Sequence, residues 1–216
     1  MNLHWIIGPA LAVLVGPWLA PGASQASPII SEVYYDAVGS DDGQAFVELF
    51  GEPGTLLDGL IIEGVNGANG APGPSVELVG VIGDDGLFVL ADRRSDGTSD
   101  VAGADALANF DFQNGPDSVV LRDGDLWLDA VGYGEFDPGE VFAGEGAPAP
   151  DAPAGTSLAR VFADVDTDDN AADFGVLELP TPGSAPVQAV PEPGALALLG
   201  SGLAGLACLA RRRSDR

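Results

Sequence analysis

Carboxylates are the only abundant side chains in this chain that can do chemistry, and two groups of them have suggestive spacing. The run DVDTDDNAAD (Asp164–Asp173) sets Asp164, Asp166, Asp168 and Asn170 two residues apart. Hard oxygens at that spacing can wrap a calcium ion, and an exported protein needs only a weak site for it. The EF-hand pattern is not completed, because Asp169 stands where the sharp-turn glycine belongs and Gly175 where the bidentate glutamate belongs. The competing reading is an Asx-rich turn whose side chains bond nearby backbone amides. Calcium is the one ligand these residues suggest, and no other cofactor is expected.

Glu32 and Glu48 are the second group. Paired acids of this kind serve glycoside hydrolysis, so a carboxylate-dependent secreted hydrolase is one alternative. Both glutamates alternate with apolar neighbours, Ile30 and Tyr34 around one, Phe46 and Phe50 around the other. That pattern favours a partly buried glutamate that holds backbone amides or an arginine. Other nucleophiles and bases are missing from the body: the one histidine is His4 and the one cysteine is Cys208, near the two ends of the chain. The body therefore lacks an imidazole base, a thiol nucleophile, a disulfide and any His or Cys zinc ligand. No catalytic residue is assigned, and the expected class is not an enzyme. The run GSGLAG (Gly200–Gly205) matches a dinucleotide-binding pattern by letters only, since no strand precedes it and its surroundings are apolar.

The elements that carry these carboxylates are short. IISEVYY, AFVELF, LIIEGV, VELVGVI (Val76–Ile82), LFVLA, SVVLR and LWLDAVGY are β-branched and aromatic runs separated by Gly, Asp, Asn and Pro. Asp123-Gly124 marks a hairpin between the last two. Only DVAGADALANF (Asp100–Phe110) hints at a helix, and a short turn or loop is expected there. About seven strands with frequent turns and no helical periodicity predict an all-β sandwich over 28–177. Residues 133–156 predict a long excursion or flexible loop, and the Pro-rich 178–189 an extended linker.

All 33 acidic residues except Glu192 and Asp215 lie between Pro28 and Glu178, while four of the eight arginines sit at the C-terminal end and lysine is absent. The body is thus more acidic than the chain's formal net charge of −25. Such a surface repels nucleic-acid phosphate and anionic headgroups and suits cations or basic partners.

The two ends read as targeting segments. Residues 1–26 have an apolar core, Ile6–Ala20, with Ser24 and Ala26 at the −3 and −1 positions of a signal-peptidase site. Cleavage between Ala26 and Ser27 is expected, with signal peptidase as a partner. At the other end, Gly194–Ala210 carries no charge and is just long enough for a transmembrane helix, whose lower limit is about 17 residues. The basic tail 211–216, with Arg211, Arg212 and Arg213, would stay on the cytoplasmic side.

Two resemblances organise these observations. Pro191-Glu192-Pro193, the apolar segment and the Arg211–Arg213 cluster, within 190–216, resemble the PEP-CTERM sorting signal of Gram-negative bacteria. That likeness implies recognition by exosortase, transient anchoring in the inner membrane, and delivery to the cell surface or extracellular matrix. The body resembles the lamin-tail domain, an immunoglobulin-like β-sandwich. The stretches that carry this likeness are IISEVYYDAVGSDDGQAFVELF, with Glu32 and Glu48 at the family's recurrent glutamates; LLDGLII, with Leu60 for an aromatic; FQNGPDSVVLRDGDLWLDAVGYG; and GTSLARVFADVDTDDNAADFGVLELPTPGSA, with its terminal Pro-Thr-Pro-Gly. Ala45 and Gly51 depart from the family pattern. The resemblance implies a non-catalytic binding or structural module, with an envelope or matrix component as its partner. The alternative for the Asp164–Asp173 run is a calcium-dependent surface adhesin.

Overall fold

Two sheets close over one main core, and the outward-facing Phe46, Val89 and Ala91 of one sheet are buried in a smaller cluster of their own. The computed structural model describes residues 26–188. The expected signal peptide, apart from Ala26, and the C-terminal sorting segment lie outside the described residues. The strands are β1 (Ile29–Tyr34), β2 (Phe46–Phe50), β3 (Leu60–Asn66), β4 (Pro72–Glu77), β5 (Leu87–Asp92), β6 (Ala106–Ala108), β7 (Asp117–Asp123), β8 (Leu126–Tyr133), β9 (Ser157–Arg160) and β10 (Phe174–Leu177). One helical turn, α1 (Asn170–Asp173), precedes β10.

Six strands form one sheet in the order β10-β9-β1-β2-β5-β6, and four form the other in the order β4-β3-β7-β8. All pairs are antiparallel except β5 with β6. Val33, Val47, Leu49 and Leu90 from the first sheet pack against Ile62, Val119, Leu121 and Val131 from the second. Tyr35 and Tyr133 stack with ring centroids 4.2 Å apart. The architecture is all-β with two sheets, as the strand pattern predicts. Among the described residues no helix is long and apolar enough to cross a membrane.

Three local expectations change. The fourth strand runs over Pro72–Glu77 rather than Val76–Ile82. It tolerates Pro72 and Pro74 because it is an edge strand, where a missing N–H breaks no ladder. Leu78 and Ile82 remain buried beyond its end. The Asp100–Phe110 stretch contributes the short strand β6. Residues 133–156 are irregular but packed: Ala143, Ala149 and Ala152 are buried, and the Ala149 N–H donates to the Gly132 carbonyl at 2.8 Å. The Asp123-Gly124 hairpin forms as expected between β7 and β8, with Gly124 at φ 56°.

Candidate functional site

The Asp-rich run is organised around an arginine. Arg160 ends β9, and its side chain has no exposed surface. Its Nη2 donates to Asp129 Oδ1 at 2.8 Å on β8, and its Nε donates to the Ile30 carbonyl at 2.8 Å on β1. Its Nη1 donates to Asp173 Oδ2 at 2.9 Å, to the Val165 carbonyl at 3.1 Å and to Asp166 Oδ1 at 3.3 Å. The Phe174 ring lies 4.6 Å from the guanidinium carbon. Burial alone would lower the pKa of Arg160, but the charges of Asp129 and Asp166 outweigh it and hold the group above its ordinary range. One buried cation thus ties the six-stranded sheet, the four-stranded sheet and the 164–173 loop together.

The four residues expected as calcium ligands separate in this arrangement. Asp164 Oδ1 accepts from the Gln188 N–H at 2.6 Å. Asp168, the one non-glycine residue with positive φ among those described, donates its N–H to Asp166 at 3.2 Å. Asn170 is buried, accepts from the Gly132 and Glu145 N–H groups and donates to the Ala130 carbonyl. Asp166 alone joins a converging set. It meets Asp129 and Glu145, each offering an oxygen within 4.8 Å of the others. Glu145 Oε2 is buried with no hydrogen-bond partner. Burial, then the charges of Asp129 and Asp166, push the Glu145 carboxyl up to about 8. Such a group can hold a proton or, once deprotonated, offer an oxygen to a hard cation.

Glu32 and Glu48 form the second organised feature. They pair directly across β1 and β2 on the outer face of the six-stranded sheet, the face opposite Val33 and Val47. They are nevertheless buried, because the chain after β10 crosses over them. Glu32 accepts from the Thr181 N–H at 3.0 Å, the Thr181 hydroxyl at 2.9 Å and the Ser157 hydroxyl at 2.5 Å. Glu48 accepts from the Gly183 N–H at 2.7 Å and the Ser31 hydroxyl at 2.8 Å. Gly183 has φ 79°, a conformation open to glycine at little cost. Burial pushes the Glu48 carboxyl up to about 7, against the hydrogen bonds from Ser31 and Gly183.

The stretch 178–188 runs without regular structure along the body. Beyond Gly183, the Pro186 carbonyl accepts from the Ala163 N–H at 2.7 Å, and Gln188 is held by Asp164. A groove of about 640 Å³ opens beside this end, rimmed by Glu52, Asp84, Asp85, Asp164 and Asp166. Ala26 and Ser27, the expected cleavage residues, are exposed and line the same groove. Pro191, Glu192, Pro193, Arg211, Arg212 and Arg213 lie outside the described residues.

Sequence reasoning missed Arg160, Asp129 and Glu145. Arg160 left one signal: it is one of four arginines in a lysine-free acidic body and lies four positions before the start of the Asp-rich run. Asp129 and Glu145 left none, since they meet Asp166 only through the packing of distant segments.

The profile of the PEP-CTERM protein-sorting motif matches residues 189–213. No curated protein and no solved structure matches the chain. The motif supports an exported protein that is sorted by exosortase to the cell surface or the extracellular space.

Proposed function

We propose that this chain is an exosortase-sorted cell-envelope or extracellular-matrix protein whose body is a lamin-tail-type, immunoglobulin-like module for binding or structure, without catalysis. The observation that carries the reading is the sorting motif at 189–213, placed directly behind a folded body that is hydrogen-bonded up to Gln188. The lamin-tail assignment is supported by where its signature residues meet. The Pro180-Thr181-Pro182-Gly183 stretch, distant in sequence, donates to both glutamates, from Thr181 to Glu32 and from Gly183 to Glu48. A non-catalytic role is supported by the occupation of those two carboxylates, which face serine, threonine and glycine donors beneath a covering strand of chain.

Export begins with signal peptidase acting between Ala26 and Ser27, and the apolar segment 194–210 anchors the chain in the inner membrane until sorting. Replacing Glu192 tests the sorting step: the full-length form is then retained in the membrane. A Glu192→Ala protein processed and released like wild type would refute it.

A second reading is favoured by the convergence of Asp129, Glu145 and Asp166 and by the unpartnered Glu145 Oε2. In this reading the body is a calcium-dependent adhesion module, its ion held by those three residues rather than by Asp164, Asp168 and Asn170. Its test is the melting temperature of the body with millimolar calcium and then with chelator, which shifts only if the ion binds the fold.

A further inference from the structure

The distance along the chain between the folded body and the sorting motif is very short. Gln188 is held by Asp164 at 2.6 Å, and only Ala189 and Val190 separate it from Pro191-Glu192-Pro193. Three extended residue steps span about 10 Å at most. A body of this length has a radius of gyration of about 15 Å. An enzyme that takes an extended peptide as an added strand must close on backbone at both sides of its recognition residues. With Gln188 fastened to the body, Pro191 can lie no more than about 10 Å from that anchor, which limits the room an enzyme has on the body side.

The fastening is also reversible in form. From Thr181 to Gln188 the strap is held by side-chain and single backbone bonds, to Glu32, Glu48, Ala163 and Asp164, and by no strand ladder. Its removal leaves both sheets hydrogen-bonded, since β10 ends at Leu177. Release back to Thr181 lengthens the free tether before Pro191 to ten residue steps, about 30 Å or slightly more.

We propose that the Thr181–Gln188 strap controls access to the sorting motif: exosortase acts on the strap-released form, and the Glu32–Glu48 pair sets how often that form occurs. The inference rests on the exosortase reading and adds to it a step located in the body. The strap-closed form is a poor substrate, so the rate of processing is scaled by the fraction of molecules with the strap released.

The test follows the loss of the full-length form by pulse-chase in the exporting host, using the whole chain. Eight Gly/Ser residues inserted between Gln188 and Ala189 supply the missing reach while leaving every strap contact in place. For a released form populated at roughly 10% or less, the insertion shortens the half-life of the full-length form by about tenfold or more. Thr181→Ala, which weakens the strap without the insertion, shortens it in the same direction, and combining it with the insertion adds little. An unchanged or longer half-life for the insertion variant overturns the proposal. A Glu192→Gln control separates the two levels: it stays full-length in both backgrounds if exosortase sorting holds. Its processing at the wild-type rate would overturn the sorting reading itself, and the strap proposal with it.

Discussion

Glu32 and Glu48 stand opposite each other across β1 and β2 on the outer face of a sheet, yet are only 2% and 0% exposed. Two carboxylates so close and so buried repel each other unless donors surround them. The donors are Ser31, Ser157, Thr181 and Gly183. The closing Pro-Thr-Pro-Gly therefore completes the donor set of a glutamate pair that Ser31 and Ser157 of the sheet satisfy only in part.

Removing one donor exposes that dependence. Thr181→Ala deletes the hydroxyl bonded to Glu32 Oε2 and leaves a buried carboxylate oxygen short of a partner. The expected loss is about 1–3 kcal/mol in urea unfolding. Thr181→Ser, which restores the hydroxyl, recovers most of it. Equal losses for the two variants would mean that the threonine methyl, and not the hydrogen bond, matters.

Stability falls as pH rises through neutrality. A carboxyl whose pKa is raised in the folded state binds its proton more tightly folded than unfolded, so its contribution is present at low pH and disappears on deprotonation. For Glu48 the loss runs from 4.5 to about 7, and for Glu145 from 4.5 to about 8. Self-repulsion of the acidic surface acts in the same direction. Asp96 and Asp100 are lowered instead, by hydrogen bonds from Thr98 and Arg94, but both are exposed and screened. The melting temperature is thus expected to be higher at pH 5.5 than at pH 8, by several degrees, and Glu48→Gln narrows the difference. A melting temperature that rises with pH over this range would contradict the assignment.

Arg160 is the single cation of a buried cluster that includes Asp129 and Asp173. Arg160→Met leaves those carboxylates buried without a counter-charge, a defect that costs about 3–5 kcal/mol. Arg160→Lys retains the charge but cannot serve three directions at once, so it recovers only part of the loss. Chemical denaturation of the three proteins gives the ranking directly.

Calcium binding, if the second reading holds, requires Glu145 to lose its proton. The calcium-induced rise in melting temperature should then grow between pH 6 and pH 8.5, and isothermal titration should register proton release. Glu145→Gln and Asp166→Asn each abolish the response, while Asp168→Asn does not. A response lost in Asp168→Asn and kept in Glu145→Gln would return the site to the loop spacing read from the sequence.

The legible and illegible parts of this chain differ in range. Strand runs, the Asp123-Gly124 turn and the all-β class depend on neighbouring residues, and the sequence displays them. The edge strand β4 starts ahead of the apolar run Val76–Ile82, because prolines argue against a strand anywhere except at an edge, and edges are set by topology. Glu32 and Glu48 could be picked out, and a structural role expected, from their apolar neighbours. Their partners at Thr181 and Gly183 lie some 150 and 135 positions away, beyond any local pattern. The calcium expectation followed a spacing of two, whereas folding turns Asp164 and Asn170 toward backbone amides and brings Asp129 and Glu145 to Asp166 from elsewhere.

Delivery of an exported module by a removable address is tested most directly by the intact mass and terminal sequences of the protein recovered from its native location. The expected species begins at Ser27 and ends close to Pro191-Glu192-Pro193, without the apolar segment and without Arg211–Arg213. A species that still carries Arg216 at its C-terminus, wherever it begins, would contradict the claim.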